Sequence, residues 1–90
     1  MKFAVYILYS PKKKNLYIGQ TSNLYKRLGS HFAGKVKTTK NRLPLILILQ
    51  EYYRNRSEAS KRERFLKSLW GVREKKRILA EYLKKRQKVV

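Results

Sequence analysis

Residues Phe3 to Tyr9, reading FAVYILY, place the tightest limit on how this chain folds. In an extended strand Phe3, Val5, Ile7 and Tyr9 face one way and Ala4, Tyr6 and Leu8 the other, so both faces are apolar. Such a segment needs cover on each face, which predicts a central strand. Ser10-Pro11-Lys12-Lys13-Lys14-Asn15 then carries turn chemistry, and Leu16 to Gly19 resumes an extended apolar run. The two runs read as a β-hairpin.

Gln20 to Asn23 offers N-cap residues ahead of Leu24, Leu28 and Phe32, an i, i+4, i+8 stripe that ends near Gly34 and predicts a first helix. Lys35 to Arg42 is a polar, basic connection. Leu45 to Tyr53 is an unbroken run whose Ile pair, Tyr pair and preceding Pro44 favour a third strand over a helix. Ser57 is the expected N-cap of a second helix, with Ser60 and Glu63 as an alternative capping box and Gly71 placed to close it. A third helix is expected over roughly Val72 to Arg86, with Leu79, Tyr82 and Leu83 on one side and Val89-Val90 fraying. No internal repeat or linker interrupts this order. A length of 90 residues allows one domain over 1–90, with a core at about 3–71 and a basic C-terminal helix at about 72–86.

Charge narrows the function classes. The chain holds 24 Lys and Arg against 5 acidic residues, a net +19, which in a compact fold is most simply balanced by a polyanion. Nucleic acid ranks ahead of a membrane surface because the cations run from Lys2 to Lys88 rather than along one amphipathic helix. With no Cys and one His, thiol catalysis, a disulfide framework and the usual zinc site are excluded. Carboxylate chemistry must come from Glu51, Glu58, Glu63, Glu74 or Glu81. No apolar stretch approaches membrane-spanning length, and the expected location is cytoplasmic.

Several residues stand out against their local pattern. Glu63 shares an inward stripe with Ala59, Leu66 and Trp70, where a charge is costly unless paired. It is read either as an i,i+4 partner of Lys67 or as the ligand of a divalent cation. Arg27 and His31 lie four apart beside the Leu24 stripe, either as a solvated basic face or as a pair converging on a phosphate. Tyr6 and Tyr17 sit on paired strands, where core packing and chemistry both account for an aromatic with a polar tip.

Taken in order, these residues resemble the GIY-YIG nuclease superfamily, most closely its small stand-alone members. Tyr17-Ile18-Gly19 is the second family triplet intact, with Ile18 and Gly19 as its structural part, and Ala4-Val5-Tyr6 keeps the Tyr of the first. Gln20-Thr21-Ser22-Asn23-Leu24, Arg27-Leu28, His31, the loop through Lys40-Asn41-Arg42 to Pro44, Ser57-Glu58-Ala59 and Arg62-Glu63 with Lys67 follow at compatible spacing. No Asn follows Glu63, where many members have one.

The resemblance implies an α+β fold, a three-stranded antiparallel sheet flanked by helices in the order β-β-α-β-α-α, in agreement with the elements read independently. It also implies hydrolysis of phosphodiester bonds by one divalent cation, Mg²⁺ or Mn²⁺. Arg27 takes the position of the catalytic arginine, Glu63 of the metal ligand, Tyr6 and Tyr17 of the paired tyrosines, and His31 of an accessory histidine. A Tyr6 phenolate acting as base costs about 4 kcal/mol at pH 7, to be met by the metal and neighbouring cations. DNA is the expected substrate, recognised by structure rather than sequence, with no membrane role and room for a partner that supplies substrate choice.

Lys12, Lys13 and Lys14 at the hairpin tip, Lys35, Lys37, Lys40 and Arg42 in the loop, Lys67, and Lys84 to Arg86 are the cations available to a phosphate backbone. The alternative is a non-catalytic basic protein that binds DNA or RNA. Either reading predicts sequence-poor binding that weakens steeply with salt, with a dissociation constant on the order of 10⁻⁴ to 10⁻⁶ M at physiological ionic strength, measurable by a salt titration of oligonucleotide binding.

Overall fold

The computed structural model describes residues 2–88. Strand β1 (Phe3–Ser10) pairs antiparallel with β2 (Asn15–Thr21) on one edge and with β3 (Ile46–Tyr53) on the other, giving the order β2-β1-β3. Helices α1 (Leu24–Phe32), α2 (Arg56–Lys67) and α3 (Val72–Lys88) complete the α+β fold. Short 3₁₀ turns lie at Lys40–Arg42 and Leu69–Gly71. The expected fraying of Val89-Val90 lies outside the described residues.

The two apolar faces of β1 explain the layering. Ala4 through Leu8 are all buried. On one face Val5, Ile7 and Ile18 of the sheet meet Ala59 and Leu66 of α2 and Ile78 of α3. On the other, Tyr6 and Leu8 meet Tyr17, Leu24 and Leu28 of α1, and Leu43, Leu45 and Leu47. A β-bulge sets Ile7 opposite Leu49 but Leu8 opposite Leu47, so Ile48 is the extra residue, and Ile48 and Leu49 both pack with the α2–α3 side. The β1–β2 turn ends at Lys14, which takes a left-handed backbone (φ 54°) while its amide donates to the Ser10 carbonyl at 2.7 Å.

The helix N-termini agree with the sequence reading for α1 and depart from it for α2. Asn23 caps α1 as expected, its Oδ1 accepting from the Lys26 amide at 3.1 Å. The cap of α2 is Asn55 and not Ser57, since Asn55 Oδ1 accepts from the Glu58 amide at 2.9 Å and the helix starts two residues early. Ser60 and Glu63 then lie inside α2 and form no capping box.

The inward stripes also shift. Helix α2 stops at Lys67, and the following 3₁₀ turn swings Trp70 outward to 85% exposure, so Trp70 leaves the stripe predicted for it. On α1 the third inward residue is His31, fully buried, whereas Phe32 is 48% exposed, because His31 at i+7 from Leu24 finds a polar partner in the sheet.

Gly71 permits the tight α2–α3 corner. A Cβ there would collide with the Phe65 carbonyl oxygen and stand 2.7 Å from Leu66 Cα, both backbone atoms that cannot step aside. Gly71→Ala is therefore expected to cost about 2 to 4 kcal/mol in urea unfolding. Gly29→Ala, on open helical surface with no atom within 4 Å of the new methyl, is expected to add about 0.5 to 1 kcal/mol.

Candidate active site

Tyr6 projects from the centre of β1 toward α1 with 1% of its surface exposed. A buried phenol needs a hydrogen-bond partner. His31 supplies it, with Tyr6 Oη and His31 Nε2 at 2.9 Å. The other ring nitrogen, Nδ1, lies 2.8 Å from Thr39 Oγ1. Thr39 is itself fully buried, held where its amide donates to the Val36 carbonyl at 3.0 Å. Tyr6, His31 and Thr39 thus form a closed polar chain running from the sheet to the basic loop.

The position of Tyr17 follows from register. Gly19 lies opposite Tyr6 and Tyr17 opposite Leu8, so the two tyrosines are diagonal neighbours on one face, with ring centroids 6.2 Å apart. The Tyr17 ring packs edge-on against His31 at 5.0 Å. Gly19 leaves the space the Tyr6 ring fills, since a Cβ at 19 would lie 2.6 Å from the Tyr6 hydroxyl and 3.1 Å from the Tyr17 ring. Ile18, its neighbour, points the opposite way into the α2–α3 core.

Arg27, one turn before His31, sets its guanidinium beside both phenols. Burial raises the Tyr6 pKa above its ordinary value, and the pull of Arg27 in the other direction does not offset it. Without a further cation beside it Tyr6 is therefore a neutral phenol near pH 7. Contact with the Tyr6 hydroxyl raises the Arg27 pKa, keeping it charged. His31 is lowered, first by burial and then by the Arg27 charge, and is neutral. A buried His31 has no surface to offer a phosphate, so only Arg27 of that pair keeps this part of the reading. Arg27 instead lines a polar groove of about 420 Å³ with Thr21, Ser22, Asn23, Lys26 and Ser30.

Glu63 is placed elsewhere. Gln20, next to Gly19 in β2, points to the α2 side and donates through Nε2 to Glu63 Oε1 at 2.9 Å and to Ser60 Oγ at 2.8 Å. Glu63 Oε2 pairs with Lys67 at 2.9 Å, the i,i+4 pair that the spacing allowed. Among the described residues no hydrogen bond or ion pair joins Glu63 to Tyr6, Tyr17, Arg27 or His31. Four of the five expected residues converge on the α1 face, and Glu63 stands across edge strand β2 from them.

The donor set on that side suits a hard cation. Gln20 Oε1 is buried with no hydrogen-bond partner, an orphaned oxygen next to a carboxylate. No cluster of three His, Asp or Glu exists among the described residues, so a divalent ion there would keep most of its water, as Mg²⁺ does. Lys67, with its side chain 54% exposed, is the group that such an ion would displace.

The expected phosphate-binding cations lie outside this core. Lys12, Lys13, Lys14, Lys35, Lys37 and Lys40 are exposed and Arg42 is half-buried. Ser10 joins their two segments: its hydroxyl donates to the Arg42 carbonyl at 2.6 Å and accepts from the Lys13 amide at 3.1 Å. Sequence reading gave Ser10, Gln20, Ser60 and Thr39 no role at the site. Only Gln20 carried a signal, as the polar residue directly after the Tyr17-Ile18-Gly19 triplet.

Comparison with known proteins agrees with the fold. Residues 2–77 match the family described as the GIY-YIG catalytic domain. A UPF0213 protein of Staphylococcus haemolyticus is 43% identical over 68 residues, covering 74% of this chain and 82% of its own. A UPF0213 protein of Clostridium perfringens is 42% identical over 66 residues, covering 72% and 70% respectively. The solution NMR structure of a UPF0213 protein from Bacillus halodurans superposes with a TM-score of 0.55 at 31% identity, covering 89% of this chain and 84% of that one.

His31 makes the fold sensitive to acid. Its pKa is depressed on folding, so the unfolded chain binds the extra proton first as pH falls below about 6.5. Urea unfolding is expected to give a flat stability above pH 7 that declines between pH 6.5 and 5. The His31→Gln variant, which removes the only His, should show a flatter profile across that window. Equal slopes in the two proteins would refute the assignment.

Proposed function

Because the chain belongs to the GIY-YIG catalytic domain family, a superfamily of nuclease type, we propose that it is a divalent-metal-dependent endonuclease hydrolysing phosphodiester bonds of DNA, directed by structure more than by sequence. The observation that carries this reading is the buried Tyr6–His31–Thr39 chain beside Arg27, which itself lines a polar groove.

The chemistry follows from the protonation states. A neutral Tyr6 cannot begin as the base, but its oxygen can take a proton from an attacking water while its own proton passes to His31 Nε2, 2.9 Å away. His31 is neutral and has Nε2 free to accept when Nδ1–H donates to Thr39. Arg27 lies beside the Tyr6 oxygen and neutralises charge on the phosphate as it develops. Tyr17, packed on His31, restricts where the water sits. A Mg²⁺ or Mn²⁺ ion held by Glu63, with Gln20 Oε1 ordering its water, would supply polarisation of the phosphate and stabilisation of the leaving oxygen. Substrate choice beyond this falls to the basic turn and loop or to a separate partner.

One observation favours a second reading, a binding protein without turnover. Both oxygens of Glu63 are already occupied, by Gln20 and by Lys67.

Cleavage of supercoiled plasmid and of branched and single-stranded oligonucleotides, with Mg²⁺ or Mn²⁺ and with EDTA, separates the two. Cutting that requires the ion and falls at least about 10²-fold in both Glu63→Ala and Tyr6→Phe, with binding retained, supports the nuclease. Absence of cutting, or equal cutting by Glu63→Ala, leaves the binding protein.

A further inference from the structure

We propose that the corner between α2 and α3 is a second nucleic-acid site, separate from the tyrosine cluster, that stacks unpaired bases of a single strand. Leu69 and Trp70 are 89% and 85% exposed there, with Phe65 at 40% beside them. They do not stand as an isolated apolar knob. Phe65 and Trp70 line a groove of about 490 Å³ together with Arg62, Arg73, Glu74 and Arg77.

The polar groups are arranged to leave Trp70 uncovered and the acidic charge paired. Arg62 lies over the Phe65 ring, 5.6 Å from its centroid, locked by Glu51 at 2.8 Å and by Glu74 at 3.2 Å. Glu74 Oε1 pairs with Arg77 at 2.7 Å, so both carboxylate oxygens are engaged and neither is free to repel a phosphate. Arg73 has no ion pair among the described residues and stands at the groove as an uncommitted cation. Aromatic faces next to guanidinium planes, with a free cation at the rim, are what successive bases of a single strand stack on. In a duplex those base faces are already covered, so the groove selects unpaired strands.

Charge decides between occupants. A second copy of this chain would bring its own +19 against the first, whereas a nucleic acid relieves that repulsion.

Trp70 is the only Trp in the chain, so tryptophan emission reports this groove alone. The test uses full-length protein in EDTA, where cleavage plays no part and the nuclease reading stands or falls separately. An oligothymidylate of about 12 nucleotides, within the usual span of such sites, is expected to quench the emission to saturation. A duplex of equal length and a base-free polyanion such as heparin should bind without that quench. Trp70→Ala, followed by anisotropy of the labelled strand, should weaken single-strand binding about tenfold and leave duplex binding unchanged. Circular dichroism confirms that the variant folds. The proposal is overturned by equal quenching with heparin, by wild-type affinity in Trp70→Ala, or by saturation with no quench. Emission that shifts with protein concentration in the absence of nucleic acid would assign the corner to a second copy instead.

Discussion

Tyr6 is buried at the middle of the central strand, and a phenol in that position must find a hydrogen-bond partner or cost the fold roughly 1 to 3 kcal/mol. His31 meets that need, and the rest of the α1 face follows from it. Helix α1 turns so that residue 31 and not Phe32 faces the sheet, the basic loop folds in to present Thr39 to the other ring nitrogen, and Gly19 has no side chain because the Tyr6 ring occupies that space. One interaction thereby links β1, β2, α1 and the loop. It also fixes the electrostatics: the apolar setting that makes the bond necessary keeps both Tyr6 and His31 uncharged, leaving Arg27 as the permanent charge beside them.

Much of this was legible in the residues alone. The two-faced pattern of Phe3 to Tyr9 required a central strand, and Leu45 to Tyr53 gave enough β-branched and aromatic character to supply its second neighbour. What failed was local and has local causes. Asn55 outcompeted Ser57 as a cap because capping depends on where the chain leaves β3, which composition does not reveal. Trp70 fell outside its stripe because a helical period was extended past Lys67, where α2 ends and the 3₁₀ turn to Gly71 begins. Thr39 was invisible, since a threonine in a basic loop carries no mark of burial. Glu63 was correctly singled out as an inward charge, yet periodicity on α2 cannot say which side of β2 the helix covers.

The charge distribution is less uniform than the total suggests. Glu51, Glu74 and Glu81, three of the chain's five acidic residues, are gathered into one network with Arg62 and Arg77, and Glu63 is matched with Lys67. The ion pairs are therefore gathered on β3, α2 and α3, while Lys12, Lys13 and Lys14 of the β1–β2 turn and Lys35, Lys37 and Lys40 of the loop have none among the described residues.

Strand β2 contributes Tyr17 and Gly19 to one face of the sheet and Gln20 to the other, and it is an edge strand paired only with β1. The Tyr6 slot and the Gln20–Glu63 contact thus share one peeling boundary. Transient detachment of β2, a smaller excursion than unfolding of the whole chain, would loosen the Tyr6 slot and the Glu63 tether in the same event. Warming should then loosen both contacts together while the helices and β1–β3 pairing persist, as a single cooperative unit below the melting of the fold itself.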